Sequence, residues 1–189
     1  MNLLNEFRRK FIHFLTIFIP IFYCTETSSK RILILLLFIL FFVFLFEFIR
    51  FKNLHLNIKI LKIFNGLTRK EERISLAGST YLLLSSILTI IFYEKIIAIT
   101  SLLFVIIGDY SAALIGKTFG KNNLFKKTFE GALACFIMCF IIGIFFFNFK
   151  IALISSFFAT LIEVLPLPIN DNLIMPLLTG LIIKICMIF

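Results

Sequence analysis

A carboxylate, spaced glycines, a lysine pair and a Thr-x-Glu-Gly stand close together between residues 108 and 131 of an otherwise apolar chain. From Asp109 the spacing runs Asp-x2-Ala-x3-Gly-x3-Gly-x5-Lys-Lys-Thr-x-Glu-Gly, through Ala112, Gly116, Gly120, Lys126, Lys127, Thr128, Glu130 and Gly131. An ionised Asp costs about 2.5–3.5 kcal/mol at the centre of a membrane helix and less near its end. Asp109 therefore calls for a compensating cation: a Mg2+ ion beside a nucleotide, or one of the basic loop residues. Lys126 and Lys127 offer two ammonium groups to anionic oxygens, and Thr128 adds a hydroxyl. Glu130 and Gly131 open the next helix, whose free N–H groups favour an anion. Glu130 is either a second metal ligand beside Asp109 or a first-turn carboxylate complementing the helix dipole. Gly108, Ala112, Gly116 and Gly120 recur every four residues. That stripe serves close helix packing or the approach of a ligand. Gly116-Lys117-Thr118 invites a P-loop reading, but Ser111 stands where its first glycine belongs and the segment is an apolar helix.

The elements that must position these groups are read from hydropathy. The chain has 189 residues, 61% hydrophobic, with a mean hydropathy of +1.09. Soluble domains are nearer half apolar, so residues 1–189 are expected to form one all-α transmembrane bundle. Apolar stretches fall at 11–27, 32–50, 76–93, 96–116, 131–148, 150–164 and 173–189. A span takes roughly 20 residues, which gives about seven spans, several of them at the lower limit. The first stretch follows Arg8-Arg9-Lys10 as a signal peptide would, but no small-x-small site succeeds it, so it is kept as a helix. Cys24, Cys135, Cys139 and Cys186 form no CxxC pair and read as small buried hydrophobes. The 27 Phe and absent Trp point to lipid-facing filler.

Placing the N-terminus inside puts fourteen Lys and Arg residues in cytoplasmic segments and five (Lys30, Arg31, Lys95, Lys150, Lys184) outside. The positive-inside rule favours that orientation. The expected location is an inner or plasma membrane with a cytoplasmic N-terminus. The net charge of +9 is accounted for by basic loops beside anionic headgroups, without nucleic acid. The polar clusters at 65–80, 108–131 and 163–172 then share the cytoplasmic side, where nucleotides are available.

Two further clusters belong with the central one. Glu6-x2-Arg9-Lys10-x2-His13 opens the chain, and helical spacing brings Glu6, Arg9 and His13 toward one face. Glu163 precedes Leu165-Pro166-Leu167-Pro168-Ile169-Asn170-Asp171-Asn172. The prolines interrupt the helix and hold the Asx residues at the surface, where they also suit a cap.

Taken together, Glu6-x2-Arg9-Lys10-x2-His13, Arg69-x2-Glu72 ahead of Gly78-Ser79-Thr80-Tyr81, the motif from Asp109 to Gly131, and Glu163 with Asp171-Asn172-Leu173 resemble the CTP-dependent lipid kinases. These are the dolichol kinase, phytol kinase and CTP-dependent diacylglycerol kinase family. Asn170 departs from the second Asp usual in that pattern, which leaves Asp171 as the charged member of its loop. Phosphatidate cytidylyltransferase shares the Gly-Asp and Lys-Lys-Thr-x-Glu-Gly elements and is the alternative. Its second motif needs Arg, His and paired glycines, whereas the tail after Lys150 holds no Arg, no His and one glycine, Gly180. The resemblance implies a membrane lipid alcohol attacking the γ-phosphorus of CTP. It assigns Asp109 to metal or base work, Lys126 and Lys127 to phosphates, and Glu130 with Asp171 to Mg2+ or nucleotide positioning. Ala112, Gly116, Gly120, Thr128 and Gly131 would frame the nucleotide. Arg9, Lys10, His13, Arg69, Glu72, Glu163 and Asn172 are supporting candidates.

Overall fold

The computed structural model describes residues 11, 13–53, 57, 75–125 and 127–188. These form seven apolar helices: α1 Phe18–Thr25, the regular part of the apolar stretch His13–Thr25; α2 Ser29–Lys52; α3 Gly78–Phe92; α4 Lys95–Thr118; α5 Phe129–Phe146; α6 Phe149–Val164; and α7 Asp171–Ile188. A two-stranded antiparallel ribbon, β1 Asn123–Leu124 and β2 Lys127–Thr128, joins α4 to α5.

The all-α expectation holds apart from that ribbon, but the expected span count does not follow from helix length. Among the described residues four helices, α2, α4, α5 and α7, are long and apolar enough to cross a membrane. At 1.5 Å per residue the 16 residues of α6 reach about 24 Å, short of a hydrocarbon core of about 30 Å. The four long helices are compatible with a membrane protein. So is the outer face of α2, where Phe38, Phe41, Phe42, Phe46 and Phe48 stand exposed.

Helix boundaries follow local chemistry. The Asn148 side chain accepts from Ile151 N at 2.9 Å and caps α6, a preferred N-cap type. Pro166 and Pro168 end that helix run. Asn170 then starts α7, its Oδ1 accepting from Asn172 N at 3.0 Å and its carbonyl from Leu173 N at 2.9 Å. Asparagine fills that capping position as well as aspartate, so the departure at Asn170 has a structural role.

Helix α4 is the axis of the bundle. Six consecutive residues, Ile97 to Leu102, are buried, as a helix surrounded by others requires. Around its first half pack Tyr23, Ile32, Leu36 and Leu40 of α1 and α2 with Leu83, Ile87 and Ile90 of α3. Its second half packs with Cys135, Cys139 and Ile142 of α5, Ala159 and Ile162 of α6 and Met175 of α7. Between the halves Phe104–Gly108 winds as a π-helical turn. The Cys139 thiol lies 3.7 Å from the Phe104 carbonyl in that turn. The thiols of Cys135 and Cys139 lie so close to Gly108 that a Cβ there would meet them at 3.0 and 2.9 Å. Both cysteines are free and buried, as expected, whereas Cys24, expected to be buried as well, is exposed and Cys186 is half-buried.

Candidate functional site

Consecutive helices run in alternation, so the start of α3, the end of α4, the start of α5, the end of α6 and the start of α7 meet at one end of the bundle. Lys127 ties the end of α6 to the start of α7 there. It sits on β2, after Phe125 has turned the ribbon with a left-handed φ of 55°. Its Nζ lies 2.5 Å from Glu163 Oε1 at the end of α6 and 3.2 Å from Asp171 Oδ2 at the start of α7. The Glu163 side chain is 3% exposed, while that of Lys127 keeps 30%. Burial, the largest single influence, pushes the Lys127 pKa down; Glu163, Asp109 and Asp171 together outweigh it and hold the ammonium above its ordinary value. With the folded pKa raised, the stabilisation is fully present below lysine's unfolded pKa. It is lost only as pH rises through the folded one. Asp109, in α4, thus shares its field with three other candidate residues from three different elements.

The small-residue stripe packs α4 against the start of α5. A Cβ on Gly116 would meet Thr128 Oγ1 at 2.6 Å, and one on Gly131 would meet the Ala112 carbonyl at 2.7 Å and Gly116 Cα at 3.2 Å. A Cβ on Gly120 would lie 2.1 Å from the Gly116 carbonyl and 2.6 Å from Thr128 Cγ2. Thr128 caps α5, its Oγ1 accepting from Gly131 N at 3.2 Å, so one of the N–H groups expected to face an anion is engaged. Glu130 accepts from Asn122 at 3.2 Å from the backbone and 3.1 Å from the side chain. Gly116-Lys117-Thr118 closes a helix rather than opening one.

His13 and Asn172 meet at the start of α3. A Cβ on Gly78 would touch Asn172 Nδ2 at 3.0 Å and the His13 ring at 3.1 Å, and Asn172 Nδ2 donates to the Gly78 carbonyl at 3.2 Å. Next to His13, Phe14 lays its ring 5.0 Å from that of Tyr110, the neighbour of Asp109. Arg9, Lys10, Arg69, Glu72 and Lys126 lie outside the described residues.

The sequence reading missed a buried ion pair and corrects at one residue. Arg50, counted there among interfacial loop cations, is 3% exposed and lies 2.5 Å from Glu47, itself 4% exposed. Arg50 also donates to the Ser75 carbonyl at 3.0 Å, and Glu47 Oε1 accepts from Ala77 N at 3.1 Å and Thr80 Oγ1 at 3.4 Å. The available signal was a carboxylate and a guanidinium three apart on one face of α2. Breaking a buried pair by removing one partner costs about 3–5 kcal/mol. Glu47→Ala should therefore lower the thermal midpoint in detergent by far more than Glu26→Ala, whose Arg31 partner is 70% exposed.

No family model matches the chain, and no solved structure matches it. An uncharacterized protein of Rickettsia prowazekii (strain Madrid E) is 33% identical over 184 residues, covering 91% of this chain and 90% of that protein. The chain belongs to the family of that protein. The kinship runs nearly end to end, so the relative spans both the motif around Asp109 and the α6–α7 turn.

Proposed function

We propose that this protein is a CTP-dependent kinase that phosphorylates the hydroxyl of a membrane lipid alcohol, a polyprenol, phytol or diacylglycerol. The observation that carries the reading is the Lys127 ammonium shared by Glu163 and Asp171, with Asp109 in the same field. Residues the kinase resemblance singled out in two separate stretches of sequence, 109–131 and 163–172, meet at one place. Phosphoryl transfer asks chiefly for positioning and charge neutralisation, and a group of fixed charges at the end of an apolar bundle suits both. In this reading seven helices span with the N-terminus cytoplasmic, the shorter ones locally thinning the bilayer.

Mg2+ has no preformed three-ligand site around Asp109 and Glu130 among the described residues. Glu130 bonds to Asn122. Mg2+ enters instead as part of the substrate, the CTP–Mg2+ complex. Three carboxylates around one ammonium repel a bare triphosphate and tolerate one whose charge is partly neutralised. On nucleotide binding, Lys127 turns an N–H toward the phosphates while Glu163 keeps its stem in place. The lipid hydroxyl forms the new O–P bond at the γ-phosphorus, the bond to the β-phosphate oxygen breaks, CDP leaves, and Asp109 accepts the hydroxyl proton.

Labelled CTP tests this directly. Label from γ-32P-CTP should enter lipid and label from α-32P-CTP should stay in solution as CDP. The cytidylyltransferase alternative moves the α label into lipid and releases pyrophosphate, so α label in lipid would replace this reading. Label in neither would mean a protein without this chemistry. Asp109→Asn preserves shape and removes charge; transfer should fall by about 100-fold or more with the thermal midpoint in detergent little changed. Near-normal turnover in that variant would remove Asp109 from the reaction.

A further inference from the structure

Asp171 is held at the first residue of α7, and the way α7 is fastened there involves a residue outside every motif. Pro176 lies inside α7. A proline has no N–H and leaves the carbonyl four residues back without its helical donor; that carbonyl belongs to Asn172. Ser85 Oγ, fully buried on α3, lies 2.8 Å from it. The same hydroxyl is 2.9 Å from the Leu82 carbonyl, but Ser86 Oγ already donates there at 2.7 Å. A hydroxyl carries one proton, and the Asn172 carbonyl is the acceptor that has lost its helical partner. Two turns away along α3, the Asn172 side chain bonds to Gly78. Both the main chain and the side chain of Asn172 are thus fastened to α3, and the residue before it bonds to Lys127.

We infer that Ser85 is a positioning residue: by supplying the donor that Pro176 removes, it fixes the start of α7 on α3 and so sets Asp171 against Lys127. The inference rests on the proposed kinase reading only for its catalytic consequence, since the pairing of Asp171 with Lys127 can be read without turnover.

The test is a cycle of Ser85→Ala, Pro176→Ala and the double variant in the full chain in detergent, with reaction of Lys127 toward an amine-selective reagent followed by mass spectrometry at one pH. Ser85→Ala strands a buried carbonyl and should raise the rate of Lys127 modification by about tenfold. Pro176→Ala alone should stay near wild type. The double variant regains a backbone N–H for the Asn172 carbonyl and should return to within about twofold of wild type. A role for Ser85 in packing alone gives no such rescue. Should Ser85→Ala fail to fold, Ser85→Cys, similar in size and a weak donor, reads the same effect at intermediate strength. Unchanged Lys127 modification in Ser85→Ala or Ser85→Cys, or a double variant as reactive as Ser85→Ala, would overturn the inference. If wild-type protein moves no CTP label, the kinase reading falls while this cycle still decides the role of Ser85.

Discussion

Lys127→Ala is expected to abolish transfer of the γ label and to destabilise the protein by about 3 kcal/mol, the lower end of the range for a buried pair. The lower end applies because the lysine side chain keeps 30% of its surface while Glu163 keeps 3%. Removing the ammonium takes away the cation that Glu163 and Asp171 share and leaves three carboxylates in one field. The two losses separate in a second variant. Lys127→Met with Glu163→Gln removes one charge of each sign and restores compatible polarity at the end of α6. Its thermal midpoint in detergent should recover most of the way to wild type, because replacing a buried pair with uncharged groups of similar size is often near neutral. Its transfer activity should stay absent, since the charge facing the phosphates has gone. Recovery of both together would make the Lys127–Glu163 pair purely structural. Loss of neither in Lys127→Ala would mean that the shared ammonium matters to no part of the protein.

Most helices were legible because hydropathy alone marks an apolar run, and the stretches anticipated at 76–93, 131–148 and 150–164 coincide closely with α3, α5 and α6. Whether each crosses a bilayer was less legible, since apolarity and length are separate properties and α3 and α6 have the first with little of the second. Asp109 could be singled out because a charge is costly in an apolar helix, and Lys127, Glu163 and Asp171 through the motif spacing, the proline-broken cluster and the family resemblance. Their convergence could not, because it depends on alternating helices and on a ribbon of two-residue strands too short to leave a periodic trace. The π-helical turn before Gly108 was hidden for a related reason: Phe-Val-Ile-Ile-Gly differs in no way from an ordinary helical turn, and the close cysteines of α5 that accompany it lie far along the chain. Ser85 was missed because its role is set by a carbonyl on another helix, and the burial of the Glu47–Arg50 pair because it depends on the backbone of Ser75 and Ala77 far along the chain. Sequence spacing does not encode those partners.

The stripe of small residues admitted two readings, packing and ligand approach, and its geometry leads to the second large prediction. At Gly131 a methyl group would meet the Ala112 carbonyl at 2.7 Å and Gly116 Cα at 3.2 Å. Both are backbone atoms of α4, which cannot swing aside as a side-chain tip does. Gly131→Ala should therefore force α4 and α5 apart and cost about 3 kcal/mol, the upper part of the range for overpacking. Gly143 lies on the same helix, where a Cβ would meet Ala152 Cα and Cβ at 3.0 Å. That contact is relieved by a few tenths of an ångström, so Gly143→Ala should cost about 1 kcal/mol or less. Thermal unfolding of the two variants in one detergent gives the comparison. Because Thr128 caps α5 through Gly131 N, the shift at Gly131 also moves β2, and Lys127 should lose register with Glu163 and Asp171. The Gly131 variant is thus expected to show faster Lys127 modification as well as a much lower midpoint, whereas the Gly143 variant lowers the midpoint only slightly and leaves Lys127 modification unchanged. Equal midpoints for the two variants would rule out close packing as what demands glycine at position 131 and return that position to the approach of a ligand.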